Sequence, residues 1–215
     1  GHVRFRGYDM QNMWSFNDDA DFDDETIEIT LTESTSTGIT ISPDVHTLTI
    51  LDDESAPAPQ ILITEVGDPG DNTDYRMVEI CNRGSSTVDI SNYSLEGDFN
   101  GNTTVDFTID VTGSVSLAPG ECFVFGNNNF PTGDLSDCIG FELSGNISTN
   151  GDETFWLNDG TSQVDVYDGF GGLDFENSAA TRNSGIVDPN SIFTAGEWSV
   201  SSANAIDLTP CIDPN

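Results

Sequence analysis

The chain has 215 residues, with 38 Asp and Glu against five arginines and no lysine, giving a formal net charge of −33. That balance excludes a nucleic-acid groove, which needs cations to neutralise phosphates, and argues against an anionic membrane surface. Without lysine there is no P-loop, no Schiff base and no lysine isopeptide crosslink.

Hydrophobic residues make up 35 % of the chain, enough for a core, and the apolar runs stay far short of a roughly 20-residue membrane span. So large a negative charge makes the chain repel itself, so screening salt or bound divalent cations are expected to offset it. No sustained helical stripe occurs; short alternating runs separated by turn pairs recur instead. In chain order these are Thr26–Thr32, His46–Leu51, Ile61–Val66, Arg76–Cys81, Thr104–Ile109, Glu121–Phe125, Thr154–Leu157 and Gln163–Tyr167. The density of short strands predicts an all-β chain built of β-sandwiches. Pro57 and Pro59 lie in the Ala/Ser/Pro-rich stretch Ser55–Gln60, which reads as a semi-rigid connector. The expected organisation is a segment 1–55, a linker 56–60 and a sandwich 61–210.

Four cysteines, Cys81, Cys122, Cys138 and Cys211, have neither C-x-x-C spacing nor a nearby histidine, so zinc is not indicated. Their even number in an acidic, Gly-rich β chain favours disulfides and an oxidising compartment over four buried thiols. Three pairings are open; the short Gly/Asn/Pro loop between Cys122 and Cys138 favours that pair, leaving Cys81 with Cys211. The chain is read as a piece of a longer secreted or surface protein.

Within 1–55, six acids fall in eight residues before a strand (Asp18, Asp19, Asp21, Asp23, Asp24 and Glu25), and Asp52, Asp53 and Glu54 follow a second strand. If those strands are neighbours, the two clusters converge at one end of a sandwich, where calcium could take the 6–8 oxygen ligands it needs. The plainer reading is a solvated acidic loop. Asp18-Asp19…Asp23-Asp24-Glu25-Thr26 followed by Ile27–Leu31, together with Thr47-Leu-Thr-Ile-Leu-Asp-Asp-Glu54, resembles the C-terminal half of a Calx-beta domain. The resemblance implies a partial β-sandwich with calcium as cofactor, held by Asp18, Asp19, Asp21, Asp23, Asp52 and Asp53. The family's N-terminal strands are missing from this segment.

The second segment carries Ile61–Val66, Tyr75–Asn82 and Val88–Leu95, then the Pro-Gly turn and strand of Leu117–Phe125, the Gly-Asp turn and strand of Asn150–Gly160, Gln163–Tyr167, and Glu197-Trp-Ser-Val200. These elements, in this order, resemble a lamin tail domain. The resemblance implies an Ig-like β-sandwich with no common catalytic residue. Cys81 and Cys122 depart from that family's usual residues, as an oxidised variant would.

Other features are weighed against bland readings. Glu65 and Glu79 in apolar strands offer either a carboxylate pair for acid–base work or outward-facing, hydrogen-bonded strand positions. Trp156 and Trp198 read as packing residues, with ligand stacking as the alternative. The Asp68–Asp74 loop reads as turn chemistry before calcium, and Asp98–Asn102 lacks the closing Glu of an EF-hand loop. No serine stands in a nucleophile elbow.

The expectation is therefore a non-enzymatic, disulfide-stiffened structural or adhesive module pair of an extracellular or cell-surface protein. Its partners would be a protein or surface assembly, including copies of itself. A second reading is an accessory region of a secreted hydrolase, such as a nuclease, whose catalytic domain lies elsewhere. A third is a carbohydrate-binding module using Trp156 or Trp198.

Overall fold

The computed structural model describes residues 59–213, apart from 100, 102 and 103, and the two strands 25–30 and 45–50 of the N-terminal region. The chain divides into two compact units, Gly1–Ala58 and Pro59–Asn215. In the first, β1 (Glu25–Thr30) and β2 (Val45–Ile50) form an antiparallel hairpin with Ile27 opposite Leu48 and Thr26 opposite Thr49.

The second unit is an Ig-like sandwich. Its six-stranded sheet runs in the order β10-β9-β4-β3-β13-β14, and its four-stranded sheet in the order β12-β11-β6-β7. The large sheet consists of β3 (Ile61–Asp68), β4 (Met77–Asn82), β9 (Cys122–Asn127), β10 (Gly140–Ser144), β13 (Ser178–Arg182) and β14 (Trp198–Ser202). The small sheet consists of β6 (Ser94–Gly97), β7 (Phe107–Asp110), β11 (Thr154–Asn158) and β12 (Gln163–Asp168). A two-residue ladder joins β5 (Val88–Asp89) to β8 (Ser116–Leu117). Except for β10, which runs parallel to β9, the paired strands are antiparallel.

The pleat explains the core. Side chains alternate between faces along a strand, so Val78 and Ile80 of β4 and Phe123 and Phe125 of β9 enter the space between the sheets. There they meet Leu95, Phe155, Leu157, Tyr167 and Phe175. On β3 a simple alternation would send Ile61, Ile63 and residue 65 inward. The ladder instead slips between Ile63 and Glu65, so that Thr64 is an extra residue. Such a bulge reverses the facing of every later residue in the strand. Val66 therefore joins the core, and Glu65 turns to the far side with Gly67.

That far side is also covered. Met77, Val124, Phe130, Leu135, Ala179, Ala203 and Leu208 form a second apolar cluster, with Tyr75, Cys138, Leu143 and Cys211 packed against it. Its lid is the 3-10 turn Thr132–Leu135 and the C-terminal segment 203–213. Leu208 lies so close to β3 that a Cβ on Gly67 would sit 3.1 Å from both of its methyl groups, so glycine admits the segment. Every described strand of this unit is thus covered on at least one face, and β3 and β4 are buried throughout.

The cysteines pair differently from the favoured expectation of Cys122 with Cys138 and Cys81 with Cys211. The disulfides are Cys81–Cys122 and Cys138–Cys211. Cys81 and Cys122 are direct cross-strand neighbours of β4 and β9, with Cα atoms 4.1 Å apart. Cys138 lies just before β10, and Ile139 N donates to Cys122 O at 3.3 Å, so the short loop does bring Cys138 close to Cys122. Register decides the partner: Cys122 already faces Cys81, and Cys138 takes Cys211 of the lid.

Candidate functional site

One group of buried polar side chains lies beneath that lid. β3 and β4 set Glu65 directly opposite Glu79, and both carboxyl groups are buried. Both face away from the inter-sheet core, as the outward-facing reading expects, but they are buried there because the C-terminal segment lies over them. Thr64, the bulge residue, donates through Oγ1 to Glu79 Oε1 at 2.7 Å. The backbone N–H of Cys211 donates to Glu79 Oε2 at 2.5 Å. Cys81 Sγ lies 3.2 Å from Glu79 Oε1; as a disulfide sulfur it carries no proton. Glu65 Oε2 has no hydrogen-bond partner among the described residues.

Electrostatics follow from this arrangement. Burial pushes Glu65 up to about 7. Burial, and then the neighbouring Glu65 charge, push Glu79 up to about 8, against the hydrogen bonds from Thr64 and Cys211. Two anions this close in a desolvated layer cannot both be ionised cheaply. Near neutral pH the pair therefore keeps at least one proton. Through the Cys211 N–H the pair also fastens the lid to β4.

A second buried polar group joins the two sheets. Asp165 of β12 receives Arg182 Nη1 of β13 at 2.7 and 2.9 Å, Ile63 N at 2.7 Å and Asn190 N at 2.8 Å. Arg182 Nη2 continues to Glu197 at 2.5 Å, and its guanidinium carbon lies 4.9 Å from the Trp198 ring centroid. Burial raises the Asp165 carboxyl, while Arg182 and the backbone donors oppose the rise.

Trp198 is 6 % exposed, stacked edge-on against Tyr167 at 4.7 Å, and therefore unable to receive a sugar ring. Trp156 is half-buried within β11, paired with Val166 and Glu96.

The six expected calcium ligands, Asp18, Asp19, Asp21, Asp23, Asp52 and Asp53, lie outside the described residues. In the Asp68–Asp74 loop the turn reading accounts for the contacts. Asp68 pairs with Arg76 at 2.6 Å, Asp71 accepts from Ala205 N, Asn72 caps Asp74 N, and Asp74 accepts from Asn129. Among the described residues, one group brings metal-binding atoms within 4.8 Å of one another: Glu79, Cys81 and Cys122. The disulfide consumes its sulfurs, leaving a single carboxylate.

The family model described as Lamin Tail Domain matches residues 54–170, just over half of the chain. The match ends before β13 and β14, which complete the same six-stranded sheet. No curated protein matches the chain.

Proposed function

Because this chain belongs to the lamin tail domain family, we propose that it is a non-catalytic structural module of a larger extracellular or cell-surface protein, built to bear and transmit load. The observation that carries this reading is the pair of disulfides. They close loops of 41 and 73 residues that do not overlap. Tension applied through the two ends of the second unit cannot extend the chain inside either loop, and the second loop holds the lid. Such bonds persist in oxidising compartments, which fits a secreted or surface location. In this reading the N-terminal unit is the end of a Calx-beta-like sandwich stiffened by calcium at Asp18, Asp19, Asp21, Asp23, Asp52 and Asp53. Its partners are neighbouring surface proteins or further copies of the chain.

Single-molecule extension tests the mechanical part. At roughly 3.5 Å per extended residue, the oxidised second unit should unfold to a contour about 400 Å shorter than the reduced one. Equal contours would remove the load-bearing reading.

A further inference from the structure

Sheets end in unpaired N–H and C=O groups, and stable proteins shield such edges with charge, proline, bulges or a covering segment. Two of the four edges of this sandwich, β10 and β12, are tied down by contacts, and a third, β7, carries an exposed charge. At β10, the Glu142 carboxylate accepts the backbone N–H of Thr112 at 2.9 Å and the Thr112 hydroxyl, tying that edge to the segment after β7. β7 itself ends in Asp110. β12 carries Asp165 and Asp168, pairs irregularly beside Asn158, and is held by Asn190.

β14 is the exception. Its five residues, Trp-Ser-Val-Ser-Ser, pair with β13 without a slip and contain no charge and no proline. Ser199–Ser202 are exposed, and Val200 is 37 % exposed. No described strand pairs with its other side.

The charge around the edge selects the occupant. The second unit holds 25 carboxylates and three arginines. Arg76, Arg83 and Arg182 are each in ion pairs, with Asp68, Asp213, and Asp165 and Glu197 respectively. Two such bodies repel, which disfavours a second copy. Acids flank the edge: Asp71 and Asp207 bond the backbone of Ala205 and Asn204 just past its last residue, whereas Glu197, before its first, is already paired with Arg182. We propose that β14 is a docking edge for an extended, Lys/Arg-bearing segment of a partner protein, which adds to the six-stranded sheet as a seventh strand. Main-chain hydrogen bonds would supply affinity and the flanking carboxylates selectivity. The inference goes beyond the load-bearing reading and does not depend on it.

The test uses the whole 215-residue chain and two labelled peptides of equal length, Val/Thr alternating with Lys and Val/Thr alternating with Glu. The Lys peptide should bind saturably and slow amide exchange at Ser199–Ser202. Its affinity should fall about tenfold when ionic strength rises from about 0.01 M to about 0.15 M, as the screening length drops from about 30 to about 8 Å. Ser201→Lys, on the exposed face of the strand, should abolish binding and Ser201→Glu should keep it, with the melting temperature unchanged in both. Equal binding of the Glu peptide, protection mapping away from β14, no binding at low salt, or self-association through β14 at high salt would each overturn the proposal.

Discussion

At the scale of single residues, the Glu65–Glu79 pair makes a prediction whose sign follows from proton counting. Both folded values, about 7 and about 8, lie above the ordinary 4.5 of a glutamate. Between about pH 4.5 and 8 the folded chain therefore holds more protons than the unfolded one, and stability falls as pH rises through that window. The pair's contribution is complete below about pH 4.5 and lost by the time Glu79 titrates. The loss should lower the melting temperature of this unit by at least several degrees across the window. General self-repulsion of the acidic surface pulls the same way, so the double variant Glu65→Gln/Glu79→Gln is the control. At fixed ionic strength its melting temperature should vary less between pH 5 and 8.5 than the parent's. Parallel curves would show that the buried pair does not titrate in this range. Because opening the lid would hydrate the ionised pair, amide exchange in the lid should also quicken with pH beyond the intrinsic base-catalysed rise, and less so in the double variant.

At the scale of elements, the bulge in β3 decides more than any single side chain. It turns Glu65 out of the core, brings Val66 in, and leaves the Ile63 N–H free to reach Asp165 across the sandwich. The alternation Ile61–Val66 announces the strand in the sequence, but not the slip. A bulge without glycine has no compositional mark, so the burial of the two glutamates was not legible. The eight strands read from alternation and turn pairs are present, and Trp198 marks the one that closes the sheet. β6, β10 and β13 are not marked in this way: Ser-Leu-Glu-Gly directly continues a turn, Gly-Phe-Glu-Leu-Ser offers a single short alternation, and Ser-Ala-Ala-Thr-Arg has no period of two. The disulfide pairing was not legible either, because it depends on β4–β9 register rather than on loop length. The Asp165–Arg182 clamp joins elements 17 residues apart in sequence but in different sheets. Arg182→Met would leave Asp165 buried without its cation and should cost about 3–5 kcal/mol in urea unfolding. Adding Asp165→Leu removes that charge but strands the N–H groups of Ile63 and Asn190, so the double variant should recover only part of the loss. A cost below about 1 kcal/mol for the single change would mean that water reaches the pair.

At the scale of the whole molecule, the division into Gly1–Ala58 and Pro59–Asn215 makes stability a property of two bodies rather than one. The second is closed by disulfides and buries two apolar layers. The described part of the first is a two-stranded hairpin, and a hairpin alone is marginal in water. In sequence it is flanked by the densest acids in the chain, Asp18–Glu25 and Asp52–Glu54. A divalent cation bound there would relieve repulsion and cross-link the flanks of the hairpin at once. A ligand bound only by the folded state at 100 times its dissociation constant adds about 2.7 kcal/mol. Calcium at fixed ionic strength should then raise the transition of the first unit by several degrees over EGTA. Magnesium, which demands stricter octahedral geometry, should do much less, and Asp18→Asn/Asp52→Asn should abolish the difference. Reductant should act on the other transition, lowering the disulfide-closed unit and leaving the calcium response in place. A matched, small response to both cations would reduce the acidic flanks to a screening effect. The load path would then rest on the second unit alone, whose covalent loops do not need the metal.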